Sequence, residues 1–525
     1  MIDFGFTTTS ILAVLIVYYV FIWLRNQRKK CFEAFEGTGI PGPPIRSLIN
    51  GNADEFWNPS QIESLGRWLN EYGDVFGFYI GDVPFVVIKD VDMIKDICAN
   101  NFQVYSGRGH LNHIHELHPL LDRNLVYVKG AHWKAARSCM AQFFTTAKLK
   151  TVMPSVHDAM RQLLEIFGEH ADNGIEVDIT TRCERFTFDV ISKAAFSIDT
   201  GVQRDPGHPL FQACLATFPN FMKGFFYRLG QNLYHWPWVI KASQKLIDVI
   251  YHNPLAASTL ESMKIMTFRY ENPHVKMSDM AQLLLDDAIG KKEGAPKEEE
   301  TKQQTRAPLP REKMIEVATN AMDIFLGGYD TSRLALTYWF YLMGKHPDVQ
   351  EKMRQEILDA YKNEGEFLSI PTLQSLQYTN QVINETLRMY PPVVTFTTRR
   401  ADADHRCGKY LIKKGTSIMI PTYALHHDPQ FWTDPETFDP ERFSPENKHL
   451  IHPVAYQPFG FGIRRCIGMR LALLELASVT SQTLRRYRIE LGSIQKRDLE
   501  LFTYSFLAAP KEKVWIRLHR FNGVK

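Results

Sequence analysis

A cysteine set in a glycine-rich turn is the most chemically pointed feature of this 525-residue chain. It lies in Phe459-Gly-Phe-Gly462-Ile-Arg464-Arg-Cys466-Ile-Gly468. Glycines at 460, 462 and 468 let the backbone turn sharply and lie close to a bulky flat group. The run from Met469 to Ala477 reads as a helix, so Cys466 stands just before a helix N-terminus. Backbone donors and the helix dipole favour a thiolate there. Arg464, two residues earlier, can reach an anionic group on the same bound ligand. A lone cysteine is ordinarily a small buried apolar residue. The full spacing Phe-x-x-Gly-x-Arg-x-Cys-x-Gly argues otherwise, because chance rarely sets five specified residues in ten positions.

Three further constellations stand upstream. Glu385-Thr-Leu-Arg388 puts opposite charges three apart on one helical face. As a surface ion pair it would contribute little. Its setting is unusual, since Tyr390-Pro-Pro392 ends the helix at once and Phe438-Asp-Pro-Glu-Arg442-Phe443 follows. Gly327-Gly328-Tyr-Asp330-Thr331-Ser332 sits midway along a helical pattern running from near Pro310 to Lys345-His346-Pro347. Adjacent glycines inside a helix cost about 1 kcal/mol each relative to alanine. Close approach of a planar ligand, a local opening of the helix or a tolerated kink would each account for them. Thr331 can hydrogen-bond back to the carbonyl of residue 327 or hold a water there. Trp133 and Arg137, four apart, share one helix face.

These residues need a scaffold, and the pattern around them supplies one. Val75–Ile80 and Pro84–Ile88 flank a Gly-Asp turn and read as a hairpin. From about residue 90 to 390 helical periodicity dominates, interrupted from Gly290 to Thr305 by a charged break containing Lys297-Glu-Glu-Glu-Thr-Lys302. Short β signals return at Tyr410–Ile412 and Ser417–Ile420. At the N-terminus, residues 4–24 carry no charge, Asp3 precedes them, and Arg25, Arg28, Lys29 and Lys30 follow. Such a run spans a bilayer core of about 30 Å as a helix, and the flanking charge places the rest of the chain in the cytosol. Neither the basic start nor the small-residue site of a cleaved leader is present. Pro41-Gly-Pro-Pro44 then makes a stiff connector or a proline-rich turn.

Composition excludes several classes. A net charge of +3 is too small to imply nucleic acid. Seven cysteines without a CxxC pair argue for a reducing compartment. His110, His113, His115 and His118 crowd one stretch but meet no firm metal pattern. Two aromatic-rich segments, Phe218–Tyr227 and Tyr234–Trp238, suit core packing or a membrane-dipping channel.

The cysteine segment resembles the haem-binding signature of the cytochrome P-450 superfamily at every specified position. That resemblance covers nearly the whole chain and implies a mainly α fold with a small β-rich lobe (α+β). A single catalytic domain, residues 45–525, would stand behind an anchor (4–24) and a basic, proline-rich hinge (25–44). It implies haem b, iron protoporphyrin IX, with Cys466 as its axial thiolate and Phe459 packed near the sulfur; a thiolate trans to dioxygen favours O–O cleavage. Gly462, Gly468, Gly327 and Gly328 would border the haem. Trp133, Arg137, Arg464 and one of Arg399 and Arg400, with Arg399 the first choice, would meet its propionates. Glu385, Arg388 and Arg442 would form the family's structural triad. Asp330 and Thr331 would be the acid and alcohol that pass protons to dioxygen, with Gly327 replacing the commoner alanine.

The implied activity is NADPH- and dioxygen-dependent monooxygenation of a lipophilic small molecule, with electrons arriving through a flavoprotein reductase steered by cations such as Arg465. The implied location is the endoplasmic reticulum membrane. The texture around Leu283–Asp287 is similar to microsomal drug-, steroid- and xenobiotic-oxidising enzymes. Two other readings stand beside this one: a haem-thiolate isomerase or dehydratase needing no reductase, and a non-catalytic haem-binding protein.

Overall fold

The computed structural model describes residues 4–110, 113–220, 222–251, 253–275, 277–290, 309–495 and 498–521. The charged stretch 297–302 lies outside the described residues, as do the side chains of His115 and Phe218. The chain is mainly helical with small sheets and divides into two compact units.

The first unit comprises residues 1–114, 224–247 and 398–420. Helix α1, Phe4–Lys30, opens it. Among the described residues no helix is long and apolar enough to cross a membrane. The sequence led us to expect a span over 4–24. The side chains described in α1 begin at Val14, so that run is described only in part, and the helix turns basic from Arg25 on. Of the basic residues that follow, Arg28 is not a free surface charge. It is buried and ion-paired with the wholly buried Asp82, and it donates to the carbonyls of Leu48 (2.7 Å), Ile49 (3.0 Å) and Asn232 (3.3 Å). The proline segment runs against the sheet, where the Gly77 amide donates to the Pro41 carbonyl at 2.7 Å.

Strands β1 (Val75–Ile80) and β2 (Val83–Ile88) form the expected hairpin, in register from Val75 opposite Ile88 to Ile80 opposite Val83. Both are almost wholly buried, and so lack the alternation of a one-sided sheet. Strands β3 (Thr398–Arg400), β4 (His405–Cys407), β5 (Tyr410–Ile412) and β6 (Ser417–Met419) follow. The four-stranded sheet runs β1-β2-β6-β3, with β2 and β6 parallel, while β4 and β5 pair alone.

The second unit comprises residues 115–223, 248–397 and 421–525. Its helices include α2 (Gly130–Ala141), α3 (Ile179–Phe196), α4 (Arg311–Lys345), α5 (Gln377–Met389) and α6 (Met469–Arg486). Helix α4 has the length its periodicity predicts: 35 residues, or about 50 Å. It is buried along most of its course from Met314 to Met343, which marks it as the axis of this unit's core. Its N-terminal half packs on α3 through Phe188, which meets Phe325 and Tyr329 edge-on at 5.0 and 5.5 Å.

Candidate functional site

The cysteine loop is built by its glycines and by one backbone bond. Gly460 and Gly462 have φ of +73° and +75°, a region where a side chain is strained. The chain can therefore fold back so that the Cys466 amide donates to the Phe459 carbonyl at 2.8 Å. Cys466 ends up exposed, two residues before Gly468, which caps the 18-residue helix α6. A thiolate at that position faces unsatisfied amides and the positive end of the helix dipole.

Two guanidinium groups flank Trp133 on α2. Arg464, 4% exposed, lies 4.8 Å from the ring centroid and Arg137 lies 5.7 Å from it. Arg464 also donates to the carbonyls of Val126 (3.2 Å) and Val128. The same segment is held from α4, where Asn320 accepts from the Leu125 amide at 2.8 Å and Asp323 accepts from the Asn124 side chain at 3.1 Å. Burial lowers the Arg137 pKa, while the nearby Cys466 sulfur opposes that shift. Cys466, Arg137, Arg464 and Trp133 are thus brought together, a cationic, aromatic-backed ledge beside a thiol.

On α4 the two glycines do different work. A Cβ at Gly327 would meet nothing within 4 Å, so this glycine opens onto free space. A Cβ at Gly328 would come within 2.8 Å of Ile191 Cδ1, so Gly328 serves the packing of α4 on α3. The helix is unbroken here, and the Thr331 hydroxyl donates to the Gly327 carbonyl at 2.6 Å. Asp330 turns elsewhere. One carboxylate oxygen is ion-paired with Arg333 and the other accepts from the Tyr504 hydroxyl at 3.1 Å, all of it buried. Arg333 also donates to Tyr504 at 2.6 Å and stands 3.9 Å from Glu184. The sequence reading missed Arg333, although Asp330-x-x-Arg333 carries the same three-residue spacing as Glu385-x-x-Arg388.

That second pair is wholly buried. Arg388 grips Glu385 with two parallel bonds, 2.7 and 2.8 Å, and Arg442 adds a third at 3.3 Å. The remaining Arg388 donors reach the carbonyls of His426 (2.9 Å) and Thr437 (3.2 Å). His426 passes the connection on. Its Nδ1 bonds the Arg388 carbonyl at 3.1 Å, and its Nε2 accepts from the Gln457 amide at 3.0 Å, where the cysteine loop begins. Burial pushes the His426 pKa down to about 3. A neutral ring with one donor and one acceptor is what this relay needs.

Arg399 and Arg400 lie on β3 of the first unit, where successive side chains face opposite ways. Arg400 donates to His110 at 2.8 Å and stands 3.8 Å from Asp402, whereas Arg399 is 1% exposed. The crowded histidines serve separate partners: His113 bonds the Gly230 carbonyl and His118 bonds Asp248. Among the described residues they form no metal cluster.

Glu475 on α6 was not singled out by the sequence. It is buried beside Ser332, whose hydroxyl donates at 3.3 Å, and burial pushes its pKa up to about 8. A raised carboxyl leaves stability intact below its unfolded pKa of about 4.3. That contribution is lost as pH rises through about 8, because only the unfolded state ionises in between. Glu475→Gln should therefore abolish on the order of 3 kcal/mol of pH dependence between about pH 5 and pH 8. Urea unfolding at both pH values measures it, and parallel profiles for the two proteins would refute the assignment.

The family model for cytochrome P450 matches residues 41–516, which takes in every residue of this site. Among similar proteins, thromboxane-A synthase of Sus scrofa is 29% identical over 528 residues, covering 94% of both chains. Cytochrome P450 3A6 of Oryctolagus cuniculus is 28% identical, covering 93% of both. Lithocholate 6-beta-hydroxylase of Mesocricetus auratus is 27% identical, covering 92% of both. With its thiol loop, its long central helix and this match over residues 41–516, the chain belongs to the cytochrome P450 family, whose members are haem-thiolate monooxygenases.

Proposed function

We propose that the chain holds haem b with Cys466 as axial thiolate and uses it to insert one atom of dioxygen into a lipophilic small molecule. The observation that carries this reading is the Arg464–Trp133–Arg137 ledge beside an exposed cysteine at a helix start, and the open space at Gly327 on the long helix is in keeping with it. These suit a flat dianionic group with a vacant metal valence. When bound, an iron–thiolate centre supplies dioxygen binding and favours O–O cleavage. The protein's share is placement. Arg464 and Arg137 would hold the propionates, with Arg399 the further candidate that the family resemblance implies. Phe459 and Gly462 shape the thiolate turn, while Glu385, Arg388 and Arg442 brace it through His426.

Proton delivery falls to Thr331 and Asp330. The Thr331 hydroxyl rests on the Gly327 carbonyl and can exchange that acceptor for a water. Asp330 must first rotate off Arg333 and Tyr504 to supply it. Thr331→Ala should leave haem content unchanged and raise the peroxide released per NADPH consumed several-fold. The test is reconstitution with a flavoprotein reductase and alkoxycoumarin probes; unchanged coupling would remove Thr331 from the relay.

The electron source in this reading is NADPH, acting through a membrane-bound flavoprotein reductase that docks near the exposed Arg465. The domain plan is an anchor at 4–24, a hinge at 25–44 and a catalytic domain at 45–525, held at the endoplasmic reticulum membrane. Its support is the exposed apolar surface of α1, with Val14, Val17, Tyr19 and Phe21 each at least 60% exposed, and Phe225 and Trp238 of the same unit. A second reading, a rearrangement needing no reductase, has support in the likeness to thromboxane-A synthase and in the engagement of Asp330 by Arg333. NADPH-dependent oxygen uptake separates the two, since only the monooxygenase requires it.

A further inference from the structure

Three side chains that the haem chemistry does not use meet at one point in the first unit. Cys31 follows the last turn of α1, Asp82 sits in the turn between β1 and β2, and His235 precedes a helix that begins at Pro237. The Cys31 sulfur, an imidazole nitrogen of His235 and a carboxylate oxygen of Asp82 all lie within 4.8 Å of one another. From this juxtaposition we propose a zinc site that joins the end of the first helix to the sheet.

The donor set decides the class of ion. Calcium and magnesium take oxygen ligands, whereas thiolate with imidazole and carboxylate suits zinc. Zinc bonds of roughly 2.0–2.3 Å at tetrahedral angles set neighbouring donors about 3.3–3.8 Å apart. His235 Nδ1 and Asp82 Oδ2 already stand at 3.4 Å. The backbone holds Asp82 in place, its two oxygens accepting from the amides of Tyr234 (2.8 Å) and His235 (3.3 Å). Arg28 takes a third lone-pair position. A carboxylate offers about four such positions; Oδ2 takes Arg28 and the His235 amide and Oδ1 takes the Tyr234 amide, which leaves one position, on Oδ1, for an ion. His235 is half exposed and Cys31 is partly exposed, so an ion and a fourth, water ligand have a way in.

The Arg28 guanidinium stands beside Asp82, and zinc binding at a thiol–imidazole site is coupled to loss of the ligand protons, so retention of the ion should weaken as pH falls. Arg28 also keeps its bonds to the carbonyls of Leu48, Ile49 and Asn232.

The test uses the full, untagged chain with haem bound, washed with chelator, equilibrated with micromolar zinc sulfate and desalted. The expected result is one zinc per chain by elemental mass spectrometry. It should fall at least tenfold in Cys31→Ser and in His235→Asn, with the haem spectrum unchanged. In the unaltered protein, zinc should slow maleimide labelling of the Cys31 peptide at least tenfold, and chelator should reverse it. A wild-type protein that retains no zinc would overturn the proposal, and so would equal retention by Cys31→Ser.

Discussion

Replacing Cys466 with alanine should erase the strongly red-shifted Soret band of the reduced, carbon-monoxide-treated protein and cut NADPH-dependent turnover by about a thousandfold or more. The loop should survive the change, because the bond that closes it runs between the residue 466 amide and the Phe459 carbonyl and needs no sulfur. Four of the other thiols are poor substitutes. Only a thiolate ligates iron well, and burial pushes the pKa of Cys139, Cys214 and Cys407 up to about 12 and raises that of Cys183 as well. A red-shifted band of wild-type intensity in the variant would reassign the ligand. Circular dichroism on the same sample distinguishes loss of the ligand from loss of the fold.

Arg388→Ala should destabilise the protein by about 3–5 kcal/mol, the usual cost of stranding a buried charge. Glu385 and Arg388 are both fully buried, so the variant would leave a carboxylate with one longer bond to Arg442 and the Asp439 amide at 3.0 Å. It would also strip donors from the His426 and Thr437 carbonyls. Arg388→Lys should recover only part of the loss, since an ammonium cannot make the paired bonds of a guanidinium. Denaturant midpoints measure both variants. A change under about 1 kcal/mol for alanine would mean that the pair is incidental.

The parts of this site that are local in sequence were the legible parts. The cysteine turn, the Glu385–Arg388 spacing, the hairpin and the ends of the long helix follow from glycine freedom, helical period and β-rich runs around a turn, each visible within about ten residues. What stayed hidden depends on partners far along the chain. Gly327 and Gly328 are adjacent and identical, and only the position of Ile191 tells that one faces open space and the other packs a helix. Asp330 reads as a free acid until Tyr504 arrives from a strand 174 residues later. Likewise Arg28 reads as one of four equal flanking charges until Asp82 claims it. Glu475 looks like an ordinary helix-surface glutamate, and its burial against Ser332 is set by how α6 meets α4.

The Arg28 latch also has a practical side. Apolar N-terminal helices are routinely trimmed away to make a protein easier to purify, and the natural cut would fall among the basic residues that follow Leu24. Here a cut beyond Arg28 removes the guanidinium paired with a wholly buried aspartate, together with donors to three loop carbonyls. A trimmed form should therefore begin no later than Arg25, keeping the last turn of α1 with the residues it is bonded to.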